Sequence, residues 1–223
     1  MGTIGYLGPV GTFTEQALYA EPELAAHDLR PYGSIVEVLR AAERGEVDYG
    51  FAAIENMIEG SVNATLDTLA FESDELLIQR EAVMNVNLNL MAQPGVGLDD
   101  IVHVRSYPVA YAQCRRYLQD HLPQATIEAT NSTADAAREL AESGRTDTAA
   151  IAPARSAEVY GLDVIATTSR TIPRTRPASS WSDATASPLR PATTRRRSSS
   201  TSGPMPPDHW SASCRNSRPD RST

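Results

Sequence analysis

The chain has 223 residues and a formal net charge of −8, so it is long enough to bury the core of one large domain or of two small lobes. It has no apolar stretch that would span a membrane, and its N-terminus lacks the charged and apolar regions of a secretory signal, so we expect a cytoplasmic protein. Cys114 and Cys214 are too far apart to suggest a disulfide framework, and neither has the neighbours of a zinc site. Every basic side chain is an arginine, which excludes lysine-based Schiff-base and P-loop chemistry.

The first part of the chain alternates predicted strands and helices. Residues 3–8 have a strand pattern, and Thr12 with Glu15 three residues later is the sequence signature of a capping box, which starts a helix through about residue 20. A second strand at 29–32 precedes a helix that Ser34 would cap. This β-α-β-α-β series favours a parallel sheet.

The stretch 49–62 is the centre of the predicted first lobe. A short apolar run leads through Asn56 into a polar turn that contains Gly60, and Ser61 is predicted to cap a helix over residues 61–71. The N–H groups at a helix start carry partial positive charge and are suited to hold a carboxylate. An ordinary connection between a strand and a helix explains the same pattern.

A second lobe is predicted after the extended run 76–93, which we interpret as the crossover between lobes because it is too long for one strand. Strand and helix patterns then alternate again, with strands at 101–104, 125–129, 148–152 and 164–166 and helices that begin near Pro108, Ser132 and Ala154. The chain must later return to the first lobe. We therefore expect residues 1–75 plus 150–169 to form lobe 1 and residues 76–149 to form lobe 2.

The last part of the chain has a different composition. Of the 53 residues 171–223, 36 are Ser, Thr, Pro or Arg, and they include nine arginines but only three acidic residues. Such a composition buries too little apolar surface to offset chain entropy, so residues 170–223 are predicted to be disordered. The run Arg195–Arg197 is a candidate nucleic-acid contact, but residues 1–170 contain 25 acidic residues and 11 arginines, so we expect no nucleic-acid partner.

Five segments in this order resemble those of prephenate dehydratases. The agreement in order and spacing covers about residues 3–165, and five motifs in order are far more specific than one. The segments are residues 6–15 (YLGPVGTFTE), 54–56 (IEN) with 59–62 (EGSV), 106–114 (SYPVAYAQC), 131–137 (NSTADAA) and 149–152 (AAIA).

This resemblance implies an α/β fold with two lobes of the type II periplasmic-binding-protein kind, and an active site in the cleft between them. It implies decarboxylative dehydration of prephenate to phenylpyruvate, a late step of phenylalanine biosynthesis. It also implies that neither a metal nor an organic cofactor takes part, and that the chain forms a dimer or a tetramer. No membrane partner is expected.

The resemblance also suggests which residues hold the substrate. Prephenate carries two carboxylates and a ring hydroxyl, so the protein has to orient a dianion and to assist departure of hydroxide with a proton donor. Helix starts from both lobes would supply N–H groups, and Glu55 and Glu59 are expected to point away. Each candidate also has an ordinary role as a cap or turn residue. The expected substrate-binding residues are Thr12, Asn56, Gly60, Ser61, Val62, Ser106, Ser132 and Thr133.

The sequence departs from the family after the last predicted strand. The family's Asn-x-Thr-Arg-Phe motif, whose Thr is thought to assist hydroxyl departure, would fall near residues 177–179 and is missing, so the catalytic residue is unknown. The ACT-type regulatory domain that usually follows is not recognisable either. A shift of the reading frame near residues 168–175 would explain both, since GC-rich DNA read out of frame yields Arg, Ser, Pro, Thr and Ala. We therefore expect weak or no turnover.

Two alternatives stay open at this point. The chain is either a dehydratase or a non-catalytic module of the same fold that binds a small anion, and the missing motif favours the module. An arogenate dehydratase, which performs the same chemistry on an amino substrate, is the other alternative.

Overall fold

The computed structural model describes residues 1–56 and 60–168 and the backbone of residues 184–191. Short strands and helices alternate along most of the chain, as the sequence predicts. The strands are β1 (Thr3–Leu7), β2 (Asp28–Tyr32), β3 (Tyr49–Asn56), β4 (Gly60–Ser61), β5 (Leu76–Ile78), β6 (Ala82–Met84), β7 (Leu88–Ala92), β8 (His103–Ser106), β9 (Thr126–Ala129), β10 (Thr148–Ala152), β11 (Asp163–Thr168) and β12 (Ala184–Pro191). The α-helices are α1 (Phe13–Ala20), α2 (Pro22–Ala25), α3 (Ile35–Glu43), α4 (Asn63–Asp67), α5 (Pro108–His121), α6 (Thr133–Ser143) and α7 (Ala154–Tyr160).

Three helices begin at residues that the sequence predicts as N-caps. The hydroxyl oxygens of Thr12, Ser34 and Ser132 each accept a hydrogen bond from the backbone N–H three residues later, at 3.2, 3.1 and 3.0 Å respectively. Each bond satisfies one of the N–H groups that have no partner within the helix. At the other end, Gly144 caps α6 and Gly161 caps α7 in the left-handed conformation that glycine adopts without strain.

The first sheet has the strand order β2-β1-β3-β12-β5, with β4 paired to β3 and β6 paired to β12. Strands β1, β2 and β3 are parallel, and β12 runs antiparallel to β3. Helices cover both faces, as a parallel sheet requires. On one face Tyr6 and Phe51 pack with Leu18 of α1, and on the other face Ala52 packs with Leu39 of α3.

The second sheet has the order β11-β7-β10-β8-β9, with β8, β9 and β10 parallel and β7 antiparallel to both β10 and β11. Its core lies on both faces of the central strands. Leu90 and Ile151 pack in one cluster with Cys114 of α5, whereas Met91 packs in another cluster with Leu140 of α6. All five of these side chains are almost fully buried.

The run 76–93 passes from the first sheet to the second, since β5 and β6 pair in the first sheet and β7 pairs in the second. This agrees with the predicted crossover. The predicted lobe boundaries do not agree with the strand pairing, since β10 and β11 pair with β7. Apolar strand patterns do not specify which sheet a strand joins, so the sequence could not make this assignment. We therefore propose residues 1–84 with 184–191 as lobe 1 and residues 88–168 as lobe 2.

The tail predicted as disordered lies largely outside the described residues, but the structure contradicts the prediction at β12. This strand pairs with β3, β5 and β6. The sequence gives no sign of it, because Pro188 and Pro191 lack the N–H group that a strand between two neighbours normally donates. The prediction of disorder rested on the composition of the tail, which offers too little apolar surface to offset chain entropy.

An ion pair at the start of β10 makes stability depend on pH. Arg145 donates to both carboxylate oxygens of Asp147, at 2.9 and 3.1 Å. The bonds from Arg145 are the main cause, and a bond from the Thr148 hydroxyl is the second cause, of a pKa of Asp147 that is lowered from 3.8 to about 2. Because the folded-state pKa is the lower one, the carboxylate stabilises the fold above about pH 4, and this contribution is lost as the pH falls towards 2.

We expect Asp147→Asn to be less stable than the wild type between pH 5 and 7, because the variant lacks this charged partner. The difference in free energy of unfolding, measured in urea, should shrink between pH 4 and pH 2 as Asp147 of the wild type takes up a proton. A difference that is constant across this range would show that the charge of Asp147 does not stabilise the fold.

Candidate active site

Parallel strands place the candidate residues at one edge of each sheet. In the first sheet β1 and β3 end at Leu7 and Asn56. Because Tyr6 pairs with Phe51, both strands run towards the same edge and β3 extends beyond the end of β1. In the second sheet β8 ends at Ser106 and β10 ends nearby. Ligand sites of α/β sheets lie outside such carboxyl ends.

The carboxyl edges of the two sheets meet where α1 contacts α7. Helix α1 follows β1, and α7 follows β10. The Ser156 hydroxyl donates to the carbonyl oxygen of Gly11 at 2.6 Å, and the Tyr160 hydroxyl donates to that of Val10 at 2.8 Å. Phe13, at the start of α1, also packs against the apolar core of the second sheet. The two edges therefore face each other on either side of this contact.

Gly11 lies close against helix α7 of the second lobe. Its φ is +87°, and a Cβ at this position would lie 3.1 Å from the Ser156 hydroxyl oxygen and 3.1 Å from a ring carbon of Tyr160. Glycine is thus required both by the backbone conformation and by the neighbouring lobe.

Glu15 is a buried carboxylate at this contact, with 4% of its surface exposed. One oxygen accepts from the backbone N–H of Gly11, and the other accepts from the Arg155 guanidinium at 3.3 Å. The sequence predicts a capping box in which Glu15 would bond the N–H of Thr12 itself. In the structure the N–H of Gly11, one residue earlier, is the donor to Glu15. The sequence did not predict Arg155 as a partner of Glu15, because 140 residues separate the two.

Thr12 and Ser132 cap helices that begin in different lobes. Besides accepting from Glu15, the Thr12 hydroxyl donates to the carbonyl oxygen of Leu7 at 3.3 Å. The Ser132 hydroxyl donates to a carboxylate oxygen of Asp135 at 2.8 Å. Both caps are half-buried, and Thr133 is the first residue of α6. The predicted caps are confirmed, whereas their role in substrate binding stays a prediction.

The segment after β3 differs from the prediction. Ser61 does not cap a helix. It lies in the short strand β4 and pairs with Glu55 of β3. Gly60, which has a φ of +83°, pairs with Asn56 of β3. Helix α4 begins two residues later, with Val62 as an N-cap that forms no side-chain capping bond. The sequence pattern failed here because Gly60 and Ser61 pair with β3 before the helix begins.

The chain around this segment is held to the sheet by backbone groups. The N–H of Val62 donates to the carbonyl oxygen of Ile54 at 2.8 Å, and the Thr65 hydroxyl donates to that of Ala53 at 2.6 Å. Glu55 is exposed, and Glu59 lies outside the described residues, so the prediction that both point away from a bound anion stays a prediction.

Ser106 is the most buried of the candidate residues, with 1% of its surface exposed. Its hydroxyl donates to the carbonyl oxygen of Tyr107 at 3.1 Å, and its own carbonyl accepts from the N–H of Thr130 at 3.0 Å. Since Thr130 leads into the Ser132 cap, the ends of β8 and β9 bring Ser106 and Ser132 to the same edge of the second sheet.

The capping geometry predicts that two serine substitutions differ in their effect on stability. Ser132→Ala should lower the free energy of unfolding by about 1 kcal/mol, because the N–H of Asp135 loses its acceptor. Ser61→Ala should change it by less than about 0.5 kcal/mol, because Ser61 is exposed and caps no helix. Urea denaturation of both variants is the measurement, and equal losses would contradict the assignment of the caps.

Among the described residues, no group of three His, Cys, Asp or Glu side chains is arranged to hold a metal ion. No helix in the described ranges has both the length and the apolar character needed to cross a bilayer. An open cavity of about 470 Å³, lined by Met1, His27 and Asp48 among others, lies at the amino ends of β1 and β2, away from the carboxyl ends.

The architecture defines the class of protein. The chain is a two-lobed α/β protein with candidate ligand-binding residues on the facing carboxyl edges of its two sheets. A family model described as prephenate dehydratase matches residues 4–175, so the chain belongs to the prephenate dehydratase family.

Sequence relatives agree with this assignment. The chain is 40% identical over 182 residues to a prephenate dehydratase of Mycolicibacterium vanbaalenii, covering 74% of this chain and 56% of the relative. It is 43% identical over 168 residues to a prephenate dehydratase of Amycolatopsis methanolica, covering 75% and 53%. The chain thus spans about half the length of these curated relatives.

A solved structure agrees as well. The prephenate dehydratase of Arthrobacter aurescens, crystallised in complex with L-Phe, has a TM-score of 0.73 to this chain at 35% identity, covering 85% of this chain and 60% of the other. The fold class predicted from the resemblance is therefore confirmed, apart from the tail.

Proposed function

We propose that this chain binds prephenate between its two lobes and catalyses decarboxylative dehydration to phenylpyruvate. The observation that carries the proposal is the extent of the family match, which runs through both sheets from residue 4 to residue 175. The position of several candidate residues supports it, since Asn56 and Ser106 end strands β3 and β8, and Ser132 follows the end of β9.

The arrangement suits a dianion better than a neutral ligand. Helices α1 and α6 begin in different lobes, and their free N–H groups each favour negative charge. We place one carboxylate of prephenate near Thr12 and the other near Ser132 and Thr133. The amide of Asn56 and the exposed hydroxyl of Ser61 would orient the ring and its hydroxyl group.

The remaining candidates would shape the pocket through the backbone. Gly60 and Val62 flank Ser61, and the positive φ of Gly60 lets the chain turn so that these N–H groups follow β3 closely. Ser106 would fix the adjoining edge of the second lobe through its bond to Tyr107.

None of these residues provides a proton donor for the departing hydroxide. Hydroxyls and amides orient and stabilise charge but are weak acids near pH 7, so removal of carbon dioxide and hydroxide would be assisted mainly by positioning. We therefore expect slow turnover, with aromatisation of the ring as the intrinsic driving force. No metal or organic cofactor is required for this reaction.

A substrate assay combined with binding calorimetry tests the proposal. We expect the chain to bind prephenate and to release phenylpyruvate slowly, and to prefer prephenate over arogenate. Preference for arogenate would make the chain an arogenate dehydratase. Binding of prephenate without turnover would identify a non-catalytic anion-binding module, which the missing Asn-x-Thr-Arg-Phe motif favours. Binding of neither substrate would reject the proposed function.

The coding DNA gives an independent test of the expected slow turnover. If the reading frame shifts near residues 168–175, the frame-restored chain should contain the Asn-x-Thr-Arg-Phe motif and turn over prephenate faster than this chain. An intact frame would reject the shift. A turnover rate of this chain equal to that of its longer relatives would contradict the expected impairment.

We also infer from the family that the protein acts in the cytoplasm as a homodimer or homotetramer and binds neither nucleic acid nor membranes. The acidic body supports the absence of a nucleic-acid partner. Light scattering of the purified chain measures the assembly, and a monomer at micromolar concentration would contradict it.

A further inference from the structure

We propose that Glu15, Arg155 and Ser156 are positioning residues that hold the loop Gly8–Thr12 of lobe 1 against helix α7 of lobe 2, and thereby set the geometry of the substrate site. The three residues and their partner Gly11 are called the interlobe clamp below. This inference rests on the proposed function, because it assigns a role at the same site.

The clamp holds Gly11 through both of its backbone polar groups. The N–H of Gly11 donates to the Glu15 carboxylate, and its carbonyl oxygen accepts from the Ser156 hydroxyl at 2.6 Å. Ser156 is fully buried, so loss of this bond would leave the carbonyl group of Gly11 without its partner in a place closed to water. The position of Gly11 is therefore fixed from both lobes at once.

Arg155 links the clamp to helix α1 at further points. Its guanidinium contacts the other oxygen of Glu15 through Nε at 3.4 Å and Nη2 at 3.3 Å. It also lies over the Tyr19 ring, 4.1 Å from the centroid, and its backbone N–H donates to the Gln16 side chain at 3.3 Å. Arg155 thus contacts three side chains of α1, which ties this helix to lobe 2 at more than one point.

The clamp lies directly beside a proposed substrate-binding residue. Thr12 follows Gly11 in the chain and caps α1, so any shift of Gly11 moves the N–H groups at the start of that helix. Those groups belong to lobe 1, whereas Ser132 belongs to lobe 2, and a dianion that bridges them requires a fixed separation. A misplacement of about 1 Å costs roughly a hundredfold in reactions that depend on such geometry.

Substitutions in the clamp test this role. We would compare Ser156→Ala and Arg155→Gln with the conservative Arg155→Lys and with the control Arg44→Gln. Arg44 is a suitable control because it is exposed, pairs with the nearby Glu46 at 2.6 Å and contacts none of the proposed site residues. All four variants would be studied as full chains, at a temperature where circular dichroism shows them folded.

Two measurements separate a positioning role from a structural one. Hydrogen exchange of residues 8–18 reports the clamp itself, and calorimetry reports prephenate affinity. We expect Ser156→Ala and Arg155→Gln to accelerate exchange in this segment but not in α5, and to weaken prephenate binding by about fivefold to tenfold. Arg155→Lys should restore part of the affinity, and Arg44→Gln should change neither quantity.

The outcomes that overturn the inference are distinct. Unchanged exchange in residues 8–18 would show that the clamp does not hold the loop. Faster exchange with unchanged prephenate affinity would show a purely structural contact. Failure of the wild type to bind prephenate would reject the proposed function and with it the positioning role, whatever the exchange data show about the clamp.

Discussion

Replacement of Gly11 by alanine is expected to lower the free energy of unfolding by about 2–4 kcal/mol and to weaken prephenate binding. Part of this loss is the cost of a side chain at a φ of +87°. The remainder arises because the new Cβ would lie 3.1 Å from Ser156 and Tyr160, so that α1 and α7 must move apart. Urea denaturation and calorimetry with prephenate measure the two effects.

Gly45→Ala is the matched control for this experiment. Gly45 has a φ of +70°, but a Cβ there would have no atom within 4 Å. It should therefore cost only the backbone term, about 1–2 kcal/mol, and leave prephenate affinity unchanged. Equal losses of stability in the two variants would show that the contact between α1 and α7 is not tight, and would remove the basis for the interlobe clamp.

Leu90→Ala is expected to destabilise the chain by about 2–5 kcal/mol. Leu90 lies in β7, between β10 and β11, and is fully buried in the cluster that also receives Phe13 from α1. The cavity would thus weaken the second sheet and its contact with the first lobe together. Thermal and urea unfolding should both show the loss.

Leu77→Ala provides the comparison for Leu90→Ala. Leu77 is also a strand residue, but 54% of its surface is exposed, so the same truncation should cost less than about 0.5 kcal/mol. A loss of less than 1 kcal/mol in Leu90→Ala would contradict the description of β7 as a buried interior strand of the second sheet.

The sequence predicts local structure well where side chains act on their own backbone. Thr12, Ser34 and Ser132 cap the helices that their spacing indicates, and the left-handed Gly144 ends α6. Ser61 is the exception, because a hydroxyl before an apolar repeat looks like a cap even when the preceding glycine folds the chain back onto β3.

Contacts between distant segments were beyond such reasoning. Glu15 and Arg155 each have ordinary local explanations in the sequence, and only the fold brings them to 3.3 Å. The same is true of β10, whose small apolar residues fit either sheet, and of β12, whose prolines argue against a strand. The candidate residues were found through motifs of the family, whereas the clamp that positions them required the structure.

The most direct test of the account is a titration of the isotopically labelled chain with prephenate, followed by amide chemical shifts. We predict saturable changes at the backbone amides of Thr12, Asn56, Ser61 and Ser132, which come from both lobes. Changes confined to one lobe, or clustered around the cavity beside Met1 and Asp48 at the amino ends of the strands, would contradict a prephenate site between the two sheets.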